Sequence, residues 1–122
     1  MSKPDEEKLV KLNTKFAKIY DLEDMLCMLM EESAELIQAC NKYMRYLNKK
    51  KKYKKKKKNT EELKSLNKEV IENLVEEIAD TEIFIERIKI QLGIKNSEVI
   101  KWKKNKLHRQ ENRLKMEKRK EK

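Results

Sequence analysis

Glycine and proline are almost absent from this chain, which has one residue of each among its 122. Because these two residues supply most tight turns, their scarcity argues against strands and hairpins. The chain is rich instead in Lys, Glu, Leu and Ile, which are common in long helices. We therefore predict one all-α domain that covers residues 1–122.

Apolar residues are also scarce, at 38% of the chain against 44% charged residues. A helical hairpin of this composition buries little surface, so we expect oligomerisation to complete its core. Cys27 and Cys40 lie on different faces of one predicted helix, and we expect them to be small core residues in a reducing compartment. No apolar run approaches the ~18 residues of a membrane span, and the N-terminus lacks a signal-peptide core. We predict a soluble, cytoplasmic protein with no membrane partner.

The net charge of +10 is unevenly distributed along the chain. Residues 42–58 contain eleven Lys or Arg and no acidic residue, and residues 101–122 contain eleven more against three Glu. The remaining residues are therefore net negative. The basic character belongs to one connecting segment and one C-terminal segment.

Apolar periodicity and capping residues predict four helices, at about residues 5–19, 21–47, 60–92 and 96–116. Gly93 suits the left-handed position that follows the third helix. Residues 48–59 predict a mobile lysine-rich loop, because like charges repel and little there can be buried. Residues 117–122 form a charged tail. The residues expected to face the core are Leu9, Leu12, Phe16 and Ile19, then Leu22, Met25, Leu29, Leu36 and Cys40, and then Ile71, Leu74, Ile78, Ile85 and Ile88.

Two acidic blocks, at residues 31–35 and 76–80, lie within apolar helical stretches. Glu32 with Glu35, and Glu77 with Asp80, are spaced i,i+3 and are neighbours on one helix face. A single such pair is typical of a solvated helix face. Two pairs on neighbouring helices, without nearby lysines, would bring four carboxylates together, and such a cluster suggests a bound hard cation. Oxygen donors without His or Cys favour Mg²⁺, with Mn²⁺ as a substitute.

The paired acidic motifs resemble those of the all-α nucleoside triphosphate pyrophosphohydrolases, the MazG-like group related to dimeric dUTPases. The resemblance extends over residues 22–114, including residues 106–113 as a weaker third element. It implies a four-helix MazG-like bundle that hydrolyses a (deoxy)nucleoside triphosphate between its α and β phosphates, giving the monophosphate and pyrophosphate. The connection between the two motifs is longer than in compact family members, and the lysine-rich insert accounts for the excess. The aromatic and amide positions of the dUTPase branch have no clear counterpart, so we infer no uracil specificity.

By position, the resemblance assigns metal binding to Glu32, Glu35, Glu77 and Asp80. Glu31 corresponds to the first Glu of the motif. It is predicted to be the catalytic residue that orients and deprotonates the attacking water, or else a further metal ligand.

Helix 4 carries Lys106, Arg109 and Arg113 in one stripe, preceded on that stripe by Trp102. Cations that face an acidic metal site would bind the substrate triphosphate. Trp102 would then contact the base. The alternative is that Trp102 packs in the core while the cations extend to solvent, and for Trp102 itself we favour this alternative. His108 is expected to be a surface residue.

Residues 49–58 are lysine apart from Tyr53 and would attract any polyanion without sequence preference. We interpret this run first as a solvated insertion and second as a nucleic-acid contact. Three functions follow: a metal-dependent pyrophosphohydrolase, which we favour; a basic helical nucleic-acid-binding protein without catalytic activity; and a helical scaffold.

Overall fold

The computed structural model describes residues 2–56 and 60–120. It contains four α-helices: α1 (Lys3–Ile19), α2 (Leu22–Lys56), α3 (Thr60–Leu92) and α4 (Asn96–Lys120). The predicted all-α, four-helix class is thus confirmed. The described residues contain no strand.

Helices α2 and α3 form an antiparallel pair that provides most of the core. Beside their connection, the Lys49 ammonium lies 3.4 Å from Glu62 Oε1 and the Tyr53 hydroxyl lies 3.3 Å from the same oxygen. The residues that face the partner helix are spaced three or four positions apart, which is the spacing of a coiled-coil seam. On α2 the seam comprises Met25, Leu29, Glu32, Leu36, Ala39, Tyr43 and Tyr46, and on α3 it comprises Leu63, Leu66, Val70, Leu74, Glu77, Thr81, Phe84 and Ile88.

The two sides of the α2–α3 pair differ in chemistry. In the middle part of the pair, four positions on each helix that follow a seam residue carry exposed apolar side chains, and two positions on each helix that precede a seam residue carry acids. In antiparallel helices, positions displaced from the seam in the same direction lie on the same side of the pair. We call these the apolar side (Leu26, Met30, Ile37 and Met44 with Ile71, Val75, Ile78 and Ile85) and the acidic side (Glu31 and Glu35 with Glu76 and Asp80).

Helix α1 packs on the C-terminal half of α3, with Ala17 buried at the contact. The Asn13 amide donates to the Ile83 carbonyl at 3.1 Å and accepts from Arg87 Nε at 2.7 Å. The Arg87 guanidinium also lies 4.8–5.8 Å from the ring centroids of three aromatic residues, one on α1, one directly after α1 and one on α3. These contacts give a cation in an apolar setting favourable partners. The three rings belong to Phe16, Tyr20 and Phe84.

Helix α4 packs against none of the other three helices among the described residues. Gly93 adopts φ +66°, as predicted, and the Ile94 N–H donates to the Lys89 carbonyl at 2.8 Å. The Lys95 N–H donates to Glu98 Oε2 at 2.8 Å and so caps the start of α4. Every side chain from Ile100 to Lys120 is exposed.

The lysine-rich segment differs from the predicted loop, because α2 continues through it to Lys56. Lysine is a good helix former, so the segment has a high intrinsic helix propensity. Tyr46 and Lys49 also extend the contact with α3, so packing stabilises this part of the helix as well. The cations also lie at the helix C-terminus, where the helix dipole favours positive charge. The remaining part of the predicted loop, residues 57–59, lies outside the described residues.

Several residues predicted to face the core are exposed instead. Ile71, Ile78 and Ile85 are 40–43% exposed because each lies one position after the seam, and Cys40 follows buried Ala39 in the same way. Cys27 is exposed as well. On α1 the buried residue is Ala17 rather than one of the larger members of the predicted stripe, since Leu9, Leu12 and Ile19 are 49–62% exposed.

Candidate metal centre

The two acidic blocks meet across the α2–α3 seam. Glu32 and Glu77 occupy seam positions, and one carboxylate oxygen from each lies within 4.8 Å of the other and of an oxygen of Asp80. Glu35 contacts both seam glutamates. The structure therefore brings together three of the four residues predicted to bind a metal, and Glu35 lies beside two of them.

Two oxygens in this cluster are buried without a partner. Glu32 Oε2 and Glu77 Oε2 are shielded from solvent and accept no hydrogen bond from any described residue. No ion pair within residues 2–56 and 60–120 involves Glu32, Glu35, Glu77 or Asp80. A buried carboxylate oxygen with neither a donor nor a cation is unfavourable, and none of the described residues supplies this cluster with a compensating positive charge.

The pKa values of the two seam glutamates reflect this environment. Burial raises the pKa of Glu32, and the nearby charges of Glu35 and Asp80 raise it further. Burial likewise raises the pKa of Glu77, with Glu35 as the next cause. Both shifts arise because ionised carboxylates crowd together with limited solvent.

The donor set fits a hard divalent cation. Mg²⁺ and Mn²⁺ prefer carboxylate oxygens, and the two unpartnered oxygens belong to Glu32 and Glu77. Three of the carboxylates already converge, and Glu35 adjoins them. These four residues are the ones that would hold the ion.

Glu31 lies on the acidic side but outside the converging set. It precedes Glu32 on α2 and is exposed, because adjacent helical residues project about 100° apart. Glu76 is positioned equivalently on α3, and its charge contributes to the raised pKa of Glu77. Sequence reasoning gave Glu76 no role, although its place in the second acidic block was visible.

The predicted phosphate-binding residues lie on the unpacked helix α4. Lys106, Arg109 and Arg113 are exposed, and none makes an ion pair with another described residue. Trp102 is 62% exposed, so the expectation that it packs in the core is wrong. His108 is a surface residue, as predicted. The structure of one chain does not bring this stripe to the acidic cluster.

A groove lies between α1 and α3. This groove of about 570 Å³ is lined by apolar residues of α1, by Glu82 and Glu86, and by Asn13 and Arg87. Sequence reasoning missed Asn13 and Arg87. Each could have been noticed in the sequence as a polar residue among the apolar residues of a predicted helix.

No helix in the described parts of the chain has the length and hydropathy to cross a membrane. Comparison with known proteins found no matching family model, no matching curated protein and no matching solved structure.

Proposed function

We propose that this chain is a metal-dependent nucleoside triphosphate pyrophosphohydrolase. It would add water to a (d)NTP between the α and β phosphates and release the monophosphate and pyrophosphate. The main support for the proposal is that carboxylate oxygens of Glu32, Glu77 and Asp80 converge. In addition, one oxygen of Glu32 and one of Glu77 are buried without a hydrogen-bond partner among the described residues. The type of reaction is inferred from the resemblance of both acidic blocks to the MazG-like motifs.

Each residue has a role that follows from its position. Glu32, Glu35, Glu77 and Asp80 would hold Mg²⁺, or Mn²⁺ in its place. When bound, such an ion neutralises phosphate charge and makes a bound water more acidic. Glu31 is exposed on the acidic side, where it has the access to water that a proton acceptor needs.

The apolar side of the α2–α3 pair supports self-association. Its eight residues are 39–64% exposed and form one face along both helices. Exposed apolar faces of this extent mark interaction sites. A second copy would bury the face by matching it with its own. We therefore propose a homo-oligomer, a dimer or tetramer, as the active form.

The direct test is pyrophosphate release from a panel of canonical and modified NTPs and dNTPs, with and without Mg²⁺. The proposal expects turnover that requires the metal and is lost in Glu32→Gln. Glu72→Gln is the matched control, because Glu72 is an exposed glutamate on α3 outside the cluster. Turnover should survive in that control. No turnover by folded, metal-loaded wild type would refute the proposed function.

A second candidate function is nucleic-acid binding through the end of α2. Six of the seven lysines between residues 49 and 56 are exposed around a helix. Such a helix would bind phosphate backbones in a salt-dependent manner. Salt-sensitive DNA or RNA binding that persists in Glu32→Gln but falls when these lysines are replaced would favour it. Absence of both activities would leave a helical scaffold.

A further inference from the structure

Helix α4 is strongly basic and is exposed from Ile100 to its end. It contains ten Lys or Arg against three Glu and packs on no other described helix. One of its ten cations pairs with an acid among the described residues, because Lys115 lies 3.0 Å from Glu111. The other cations of α4 are accessible to an anion from outside the chain.

The cations lie on both sides of α4. At about 100° per residue, Lys106, Arg109 and Arg113 share one stripe, and Lys104 and Lys118 lie on the opposite side of the helix. A flat anionic surface can contact only one of these sides at a time. A partner with anionic groups on two facing walls can contact both, so the arrangement favours a groove over a flat surface.

The apolar residues of α4 do not form the face that a membrane-bound helix needs. Ile100, Leu107 and Leu114 recur every seven residues in one narrow stripe, and Lys103 and Lys118 lie within the same sector of the helix. A helix that lies on a lipid surface has an apolar face, with its cations confined to the opposite face. The pattern on α4 therefore disfavours a lipid surface as the partner.

The dimensions of α4 match the major groove of duplex DNA. Its 25 residues extend about 37 Å, and one turn of the duplex is roughly 34–36 Å long. The major groove is about 12 Å wide and admits an α-helix. Because phosphates line both edges of this groove, cations on both sides of the helix can reach them.

Helix α4 also stands apart from the lysine-rich end of α2. Gly93 adopts φ +66° in the turn that follows α3, and the Lys95 N–H donates to Glu98 Oε2 at the start of α4. The lysines of α2 precede the start of α3, whereas α4 follows its end. Since the 33 residues of α3 extend about 50 Å, the two basic segments adjoin opposite ends of that helix.

We propose that α4 binds duplex DNA by lying in its major groove, with the cations on its two sides contacting the phosphates of both strands. Each contact releases condensed counterions, which provides affinity without sequence preference. The major groove of A-form RNA is deep and narrow, so duplex RNA should bind less tightly. The proposal does not depend on pyrophosphohydrolase activity, and its site differs from the lysines at the end of α2.

Salt-dependent binding of a labelled duplex tests the proposal. Fluorescence anisotropy of the full chain with a DNA duplex of about 20 base pairs gives Kd at several salt concentrations. If about five cations contact phosphates, log K should fall with log salt at a slope of about −4.5, or roughly 500-fold between ~50 and ~200 mM salt. Lys106→Ala/Arg109→Ala and Lys104→Ala/Lys118→Ala remove cations from opposite sides of α4. Each should make the slope shallower by about 2.

Lys11→Ala with Lys15→Ala is the matched control. It removes the same charge from exposed positions of α1 and should leave the slope unchanged. An unchanged slope in both α4 variants, with circular dichroism showing intact helices, would overturn the proposal. A loss confined to one α4 variant would place the anion on a single side and would also overturn it. Binding that is lost only in Lys50→Ala/Lys54→Ala would belong to the end of α2 instead.

Other anions test whether the partner is the DNA groove. Single-stranded DNA and duplex RNA with the same number of phosphates should bind at least about tenfold less tightly than duplex DNA. Vesicles of phosphatidylcholine and phosphatidylserine should also bind less tightly than duplex DNA. Equal affinity for duplex RNA would overturn the major-groove geometry. Tighter binding to the vesicles would overturn the proposal in favour of a lipid surface.

Trp102 gives a readout within α4 itself. It is the only tryptophan, is 62% exposed and lies on the same stripe as Lys106. Its quenching by acrylamide should fall when duplex DNA binds, because the walls of the groove shield the helix. Unchanged quenching at saturating DNA would overturn the proposal, whether or not the protein hydrolyses nucleoside triphosphates.

Discussion

The α2–α3 pair and α4 are both long helices rich in charge, yet they differ in what surrounds them. The pair is packed along a seam and buries carboxylate oxygens of Glu32 and Glu77. Helix α4 is cationic and exposed from Ile100 to its end. A buried charge is unfavourable unless an opposite charge or a hydrogen-bond donor lies beside it. A charge on an exposed helix is hydrated and needs no such partner. The acidic region therefore points to a ligand more strongly than the basic one does.

The largest expected effect is on catalysis by the packed acidic region. Asp80→Asn removes one charge from the cluster without changing side-chain shape, so pyrophosphate release should fall about 100-fold or more. Initial rates at saturating Mg²⁺ measure the loss, and circular dichroism checks that the helices persist. Wild-type rates in this variant would remove Asp80 from the site.

Truncating a side chain in the seam should lower the free energy of unfolding far more than truncating a side chain on α4. Met25 is 1% exposed, and Met25→Ala should lower the free energy of unfolding by about 2–5 kcal/mol because it leaves a cavity. Leu107→Ala is the control: Leu107 is 63% exposed, and in dilute protein the change should stay within about 0.5 kcal/mol. Urea unfolding measures both. Equal losses would show that α4 is packed even in the monomer.

The turn that separates the two regions can be tested at Gly93. A Cβ at Gly93 meets no atom within 4 Å, so the penalty of Gly93→Ala comes from its φ of +66° alone. The substitution should cost about 1 kcal/mol, since an L-residue other than Asn or Asp rarely adopts this conformation. Gly93→Asn should recover part of the loss. Thermal unfolding of the two variants provides the comparison.

The smallest effect is the pH dependence of the metal-free fold. An acid whose pKa is raised on folding stabilises the protein below its unfolded value, and that contribution is lost as pH rises through the folded value. For Glu32 and Glu77 the loss begins near the ordinary value of 4.5 and continues above it. With chelator present, the melting temperature should therefore decline over this range.

Glu77→Gln should weaken that decline, because an uncharged amide cannot repel Glu35. Glu72→Gln serves as the control and should leave the pH profile unchanged. A metal-free melting temperature that rises through the same pH range in wild type and both variants would contradict the predicted sign.

Much of the local structure was predictable from local signals. Gly93 ends α3 where expected, and apolar periodicity with capping residues predicted the four helices. The convergence of Glu32 with Glu77 followed from their place in similar motifs on neighbouring helices. These successes share one property: each depends on residues within a few positions of one another, or on two such patterns combined.

The errors arose where two adjacent positions were both apolar. Val70 and Ile71, or Phe84 and Ile85, suit a helix face equally well, and only contact with α2 decides which is buried. The lysine-rich segment was predicted to be a loop from its charge. Its helical conformation depends on a partner helix that its own composition does not reveal.

The sequence by itself determined the helices, the terminus at Gly93 and the acidic pairs, because propensity, capping and i,i+3 spacing are local properties. Only the tertiary structure decided three further features of the described residues. Glu32 and Glu77 lie in the seam with carboxylate oxygens that have no hydrogen-bond partner there, the second apolar stripe is exposed, and α4 packs on no other described helix. These facts depend on which surfaces meet. A helix with several possible faces does not specify that choice until a neighbour is present.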